Sequence, residues 1–138
     1  VVAGANYGWP LKSYGCNYDE SKPKDAACRI GGGTHTGYVE PKAIWVPTST
    51  APSGLLFYTG TRFPDWRGNV FSGALGGTTL WRIVLDGNGN AVSRQEIGAV
   101  KSLGVRIRDV RQGRDGNIYL LSNDGNGANA NRIVRLSP

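Results

Sequence analysis

The chain has no methionine, one histidine and only two cysteines in 138 residues. One His and two Cys fall short of the four ligands of a structural zinc site. No apolar run approaches the roughly 18 residues that a transmembrane helix needs, which excludes such a span. No heptad pattern is present, and no window of about 11 residues keeps an apolar i, i+3, i+4, i+7 stripe free of Gly and Pro, so amphipathic helices are not expected. Charge is scarce as well: 19% of residues are charged and 39% hydrophobic, with 4 Trp and 6 Tyr. Chains that stay unfolded have the reverse balance. No basic-then-apolar leader opens the sequence, and residue 1 is Val, so a processed, truncated or excised chain is expected.

Turn formers are plentiful. The 21 Gly and 7 Pro separate short β-branched and aromatic runs, which reads as an all-β fold. The length is that of one compact domain. The net charge is +6, but the arginines fall on many segments, from Arg62 and Arg67 through Arg94 and Arg114 to Arg135. That spread describes a solvated basic surface, and no nucleic-acid partner is expected.

Residues 1–40 read as irregular. Strands are expected over 43–47 (AIWVP), 54–60, 69–75, 79–86, 91–99, 105–113, 117–123 and 132–137. The separators are APSG, DWRGN, GG, DGNGN, GRDGN and DGNGANAN, whose Asp-Gly and Asn-Gly pairs accept the positive φ of tight turns. Gly68-Asn69-Val70-Phe71 is echoed by Gly116-Asn117-Ile118-Tyr119, and Arg82-Ile83-Val84 by Arg132-Ile133-Val134. The offsets are 48 and 50 residues. Short strands recurring at about 40–50 residues mark β-propeller blades. The chain divides into a loop-rich lead-in with an outer strand (1–50), a blade (51–100) and a last, incomplete blade (101–138). Two blades cannot close a ring, so additional copies or further blades are expected partners.

Several features invite a chemical reading. Cys16 and Cys28 lie in a polar, Gly-rich stretch. They form either a local disulfide, which points to an oxidising compartment, or two unpaired thiols. Gly31, Gly32 and Gly33 lack the Lys-Ser/Thr and the strand-to-helix setting of a phosphate loop. His35 is a candidate base by residue type, but its Gly-rich setting favours a surface or loop position. Asp109 is expected to point away from Arg108 and pair with a neighbouring blade. Trp45, Phe57, Trp66, Phe71 and Trp81 fit packing between blades. Residues 124–131 (DGNGANAN) read as a turn, because a calcium loop needs regular Asp spacing and a closing Glu.

Taken together, GANYGWP (4–10), SYGCNY (13–18), APSGLLFYTGTRFPDWRGNVFSGAL (51–75), RIRDVRQGRDGNIYLL (106–121) and RIVRLSP (132–138) resemble the soluble PQQ-dependent sugar dehydrogenases, most closely the aldose sugar dehydrogenase branch. The resemblance implies the C-terminal portion of a six-bladed propeller. It implies oxidation of an aldose C1–OH to the lactone, PQQ and Ca²⁺ as cofactors, an electron acceptor and a periplasmic or secreted location. The two arginines of RIRDV, Arg106 and Arg108, match positions that line the cofactor site. A guanidinium fork suits the carboxylates of a tricarboxylic quinone. Tyr7, through its carbonyl, and Glu40 match ligands of a structural calcium. Gly76 stands where the family has a cofactor-binding Lys. The family's general-base His lies upstream of the matched segment, so this chain alone is expected to be inactive. The competing reading is a non-catalytic propeller fragment or a sugar-binding module.

Overall fold

The computed structural model describes residues 2–18, 25–124 and 131–138. The chain forms two compact units, Val1–Ser49 and Thr50–Pro138.

The second unit holds all the named strands. β1 (Pro52–Phe57), β2 (Val70–Ala74), β3 (Thr79–Leu85) and β4 (Ala91–Glu96) form a four-stranded antiparallel sheet in chain order. A single helical turn, α1 (Gly98–Lys101), leads to β5 (Ile107–Gln112), β6 (Ile118–Ser122) and β7 (Ile133–Leu136), which form a three-stranded sheet. These are two consecutive blades of a partial, open β-propeller. Each blade turns from its first strand to its second through a glycine in the left-handed region, Gly68 (φ 81°) and Gly116 (φ 76°). A side chain there would be strained, which explains the repeated Gly-Asn.

The core lies between the two sheets. Tyr58, Phe71, Leu80, Val100, Ile107, Val110, Ile118 and Leu120 are fully buried and pack together. Burying a side chain of this size contributes roughly 1.5–3 kcal/mol. β1 runs against β5, and two glycines allow the approach. A Cβ on Gly54 would collide with Asp109, and one on Gly73 with Ser53 and Ile107. Polar clasps then fix the contact. Ser53 donates to the Ile107 carbonyl, and the Tyr58 hydroxyl to the Gly116 carbonyl at 2.7 Å. The Gln112 amide oxygen accepts from the N–H groups of Thr59 and Gly60 at 2.9 and 3.0 Å.

The register corrects the second half of the repeat. Phe71 pairs with Arg82 in the first blade, and Tyr119 pairs with Arg135 in the second. The counterpart of Arg82 is therefore Arg135, not Arg132. The connection between β6 and β7 (residues 123–132) is longer than that between β2 and β3 (residues 75–78). The extra residues displace the R-I-V match out of structural register. Other boundaries differ too. The strand expected over 91–99 stops at Glu96, and α1 follows. Phe57, expected to pack between blades, is 56% exposed, whereas Phe71 and Trp66 do pack at the core.

The first unit is a loop assembly. No strand forms at 43–47. Trp45 and Val46 lie outside the named strands, and Pro47 has no N–H to donate. Among its described residues the β-pairing is one isolated bridge, Cys16 with Arg29. Cys16 and Cys28 are joined by a disulfide, with Cα atoms 5.2 Å apart. Main-chain bonds flank it, Ser13 N–H to the Ile30 carbonyl and Ile30 N–H to the Gly15 carbonyl, both 3.1 Å. The Asp25 carboxylate caps the short turn Ala26–Cys28. Gly31 (φ 65°) turns the chain where a Cβ would strike the Leu11 carbonyl, and a Cβ on Gly33 would meet the Arg29 side chain, so these two glycines serve close packing.

Candidate cofactor site

Arg106 and Arg108 sit at the start of β5, on either side of the fully buried Ile107. Arg106 immediately precedes the strand. Arg108 falls at a bulge, because Ile107 pairs with Ser122 while Asp109 pairs with Leu121. The bulge inserts an extra residue and places the next buried residue at Val110. Both arginines are exposed.

The acids near them are engaged by other cations. Asp109 lies 3.0 Å from Arg111 on its own strand, and its carboxylate also accepts from the Val110 N–H at 2.9 Å. It packs against Gly54 of the neighbouring blade, but its ionic partner is within β5, which corrects the pairing expected across blades. Asp124, after β6, lies 3.2 Å from Arg132. It also accepts from the backbone N–H of Arg106 at 3.3 Å. Burial pushes the Asp124 carboxyl up, but hydrogen bonds from Ser122, Arg132 and the Arg106 N–H, with the charge of Arg132, more than offset this and hold it below the usual range. Among the described residues, neither the Arg106 nor the Arg108 guanidinium has an ion pair. The donors fit a polycarboxylate cofactor: two forked cations two residues apart, exposed and not neutralised.

Gly76 lies in the turn between β2 and β3. Its N–H and that of Gly77 donate to the Thr50 carbonyl at 2.9 and 3.2 Å. The turn lacks a cationic side chain of its own, but Lys101 donates to the Gly77 carbonyl at 2.7 Å while facing Glu96 at 3.5 Å. The roles of Lys101 and Asp124 are not readable from sequence, since they depend on contacts 24 and 18 residues away, and that of Arg132 depends on a contact made across the β6–β7 connection. Of the DGNGANAN stretch expected to form a turn, residues 125–130 lie outside the described residues.

In the first unit, Tyr7 and Glu40 lie on adjacent segments, joined by the Val39 N–H to Asn6 carbonyl bond at 3.0 Å. The Glu40 carboxylate accepts from the Tyr14 hydroxyl at 2.8 Å and the His35 N–H at 3.3 Å. The bond to Glu40, with burial and the carboxylate's charge, raises the Tyr14 pKa against the opposing charge of Arg29. His35 lies in a loop, as one of the two expected settings has it, but it is only 6% exposed and stacks on Tyr14 at 4.9 Å between ring centroids, which corrects the surface alternative. Calcium takes about six to eight oxygens. A carbonyl and an oriented carboxylate are hard donors of the right type but only part of such a shell. Among the described residues no group of three or more His, Cys, Asp or Glu could hold a metal ion. Beside this cluster lies a cavity of about 280 Å³, lined in part by Tyr7, Trp9, Lys12, Tyr14, His35 and Trp45. Among the described residues no helix is long and apolar enough to cross a membrane.

Residues 1–135 match the family Glucose / Sorbosone dehydrogenase. The chain is 37% identical over 135 residues to the aldose sugar dehydrogenase YliI of Escherichia coli, covering 98% of this chain and 33% of that protein. It is 39% identical over 127 residues to the uncharacterized protein slr1608 of Synechocystis, covering 92% of this chain and 28% of that one. It superposes on a crystal structure of glucose dehydrogenase with a TM-score of 0.77 and 34% identity, over 98% of this chain and 36% of that one. The PQQ-bound form of aldose sugar dehydrogenase from Streptomyces coelicolor gives a TM-score of 0.63 and 26% identity, over 97% and 34% of the two chains. The chain thus spans about a third of the length of its curated relatives. The blade architecture and the match along nearly the whole chain lead to one conclusion: this chain belongs to the glucose/sorbosone dehydrogenase family.

Proposed function

We propose that the chain is the C-terminal part of a PQQ- and calcium-dependent aldose dehydrogenase that oxidises the sugar C1–OH to the lactone. The observation that carries this is the pair Arg106 and Arg108, exposed at the start of β5 while Asp109 and Asp124 face Arg111 and Arg132. Two guanidiniums with no ion pair among the described residues provide bidentate anchors for the carboxylates of the quinone. PQQ supplies, when bound, the two-electron acceptor for the oxidation, and calcium the Lewis acid that polarises it. The arginines bind and orient. The general base comes from outside residues 1–138, because His35 is buried and stacked on Tyr14. Tyr7 and Glu40 contribute two oxygens to a structural calcium completed from outside the chain. Residues 1–50 serve as lead-in, 51–100 as a blade and 101–138 as an incomplete blade, whose ring is closed by further blades or further copies. An electron acceptor, an aldose and a periplasmic or secreted setting complete the proposal.

The test is reduction of an artificial electron acceptor by aldose, with the missing blades, PQQ and Ca²⁺ supplied, in the protein and in Arg106→Ala and Arg108→Ala. A charge-assisted hydrogen bond contributes about 1.5–3 kcal/mol, so each variant should weaken PQQ binding about tenfold or more. Unchanged binding and turnover in both variants would falsify the site.

A second reading, a sugar-binding module, draws on one observation: Trp9 is 72% exposed beside the 280 Å³ cavity. An exposed indole face is a stacking platform for a pyranose. This reading requires aldose binding without PQQ, lost in Trp9→Ala and kept in Arg106→Ala.

A further inference from the structure

Asp124 bonds to the Arg106 backbone, and Arg132 pairs with Asp124. The Asp124 carboxylate divides its two oxygens. Oδ1 accepts the backbone N–H of Arg106 at 3.3 Å, and Oδ2 accepts the guanidinium of Arg132 at 3.2 Å. A second main-chain bond, Asn123 N–H to the Arg106 carbonyl at 2.8 Å, clamps the same residue. Arg132 is itself anchored, its N–H donating to the Ser122 hydroxyl at 2.8 Å. The Asp124 side chain is about one-fifth exposed, in a residue that is exposed as a whole, and that of Arg132 is about half exposed. A partly shielded carboxylate this close to the Arg106 backbone would draw the Arg106 guanidinium onto itself if nothing else held it.

We propose that Asp124 and Arg132 form a positioning pair. Asp124 fixes the Arg106 backbone at the mouth of β5. Arg132 occupies the carboxylate so that the Arg106 guanidinium stays free for an anionic cofactor. Neither residue touches the cofactor. The same logic holds one step along the strand, where Arg111 occupies Asp109 and leaves Arg108 free. The inference rests on the reading of Arg106 as a cofactor anchor.

The experiment is a titration of PQQ into the calcium-supplemented full chain, followed by quenching of tryptophan fluorescence. Melting temperatures are recorded for every variant. Arg132→Ala should weaken binding about tenfold, because the released carboxylate neutralises Arg106. Arg132→Lys, which keeps the charge, should bind within about threefold of the parent. The decisive variant is Arg132→Ala combined with Asp124→Asn. The Asn oxygen still accepts the Arg106 N–H but carries no charge, so affinity should recover most of the loss. A merely structural role predicts the opposite, a double variant weaker than either single one. Arg132→Ala binding like the parent, or a double variant no tighter than Arg132→Ala, overturns the inference. Arg106→Ala separates the two levels: if it binds PQQ like the parent, or if the parent binds none, the underlying site reading fails with it.

Discussion

The two units of this chain are ordered by different means. Residues 50–138 rely on a core of side chains such as Tyr58, Phe71, Leu80 and Ile107 between two sheets. The described part of 1–49 has no strand and buries little apolar area. It is held by the Cys16–Cys28 disulfide, short turns, and the Tyr14, His35 and Glu40 cluster. The lesson is one of composition. Alternating apolar residues between Gly-Asn turns can bury one face of every strand. A stretch such as SYGCNY has too few apolar residues to offset its ordering entropy, and covalent and polar links take over.

The comparison can be broken most severely at the core. Phe71→Ala should destabilise the strand unit by about 3–5 kcal/mol, because the cavity cannot collapse between two sheets. Urea unfolding followed by far-UV circular dichroism reads this, and a loss under about 1 kcal/mol would mean that the sheets do not share one core. Next in size is the disulfide. Cys16→Ser with Cys28→Ser should cost the lead-in unit about 3 kcal/mol. Hydrogen exchange should rise at Ser13, Arg29 and Ile30 while β2 and β6 stay protected. Equal loosening of both units would erase the distinction.

Smaller still is the Tyr14–Glu40 bond. Tyr14→Phe should cost about 1 kcal/mol and increase the exposure of His35, visible as a shift in its imidazole resonances. The smallest effect is acidic. The Asp115 carboxyl is held below its ordinary 3.8 chiefly by the Asn117 side chain and the Tyr119 hydroxyl. A depressed folded-state pKa adds stability above the unfolded value, which is lost as pH falls through the folded one. The urea midpoint of the strand unit should therefore drop below about pH 4, and Asp115→Asn should flatten that slope. An unchanged slope would remove Asp115 from the account.

Much of the fold is legible in the sequence, because strand residues alternate and turn residues are local. Gly68-Asn69 and Gly116-Asn117 state where each blade turns, and the glycine φ values explain why. The Arg82 and Arg132 match misleads for a physical reason: sequence similarity is blind to the longer connection before β7, and only pairing with Tyr119 reveals Arg135 as the counterpart. AIWVP has β-propensity, yet residues 43–47 lie outside the named strands, and propensity by itself does not make a sheet.

The candidate site shows the same division. The residue types and spacing in RIRDV already supply two cations near one strand end. Whether those cations are free depends on the acids that strand pairing brings beside them. Asp124 reaches the Arg106 backbone only because β6 folds back along β5, and Arg132 reaches Asp124 only because β7 follows. His35 is buried because Tyr14 and Glu40, far apart in the chain, close over it. Local turn and strand chemistry is written in neighbouring residues. Charge partnership and burial are properties of distance in space, and only the tertiary structure sets those distances.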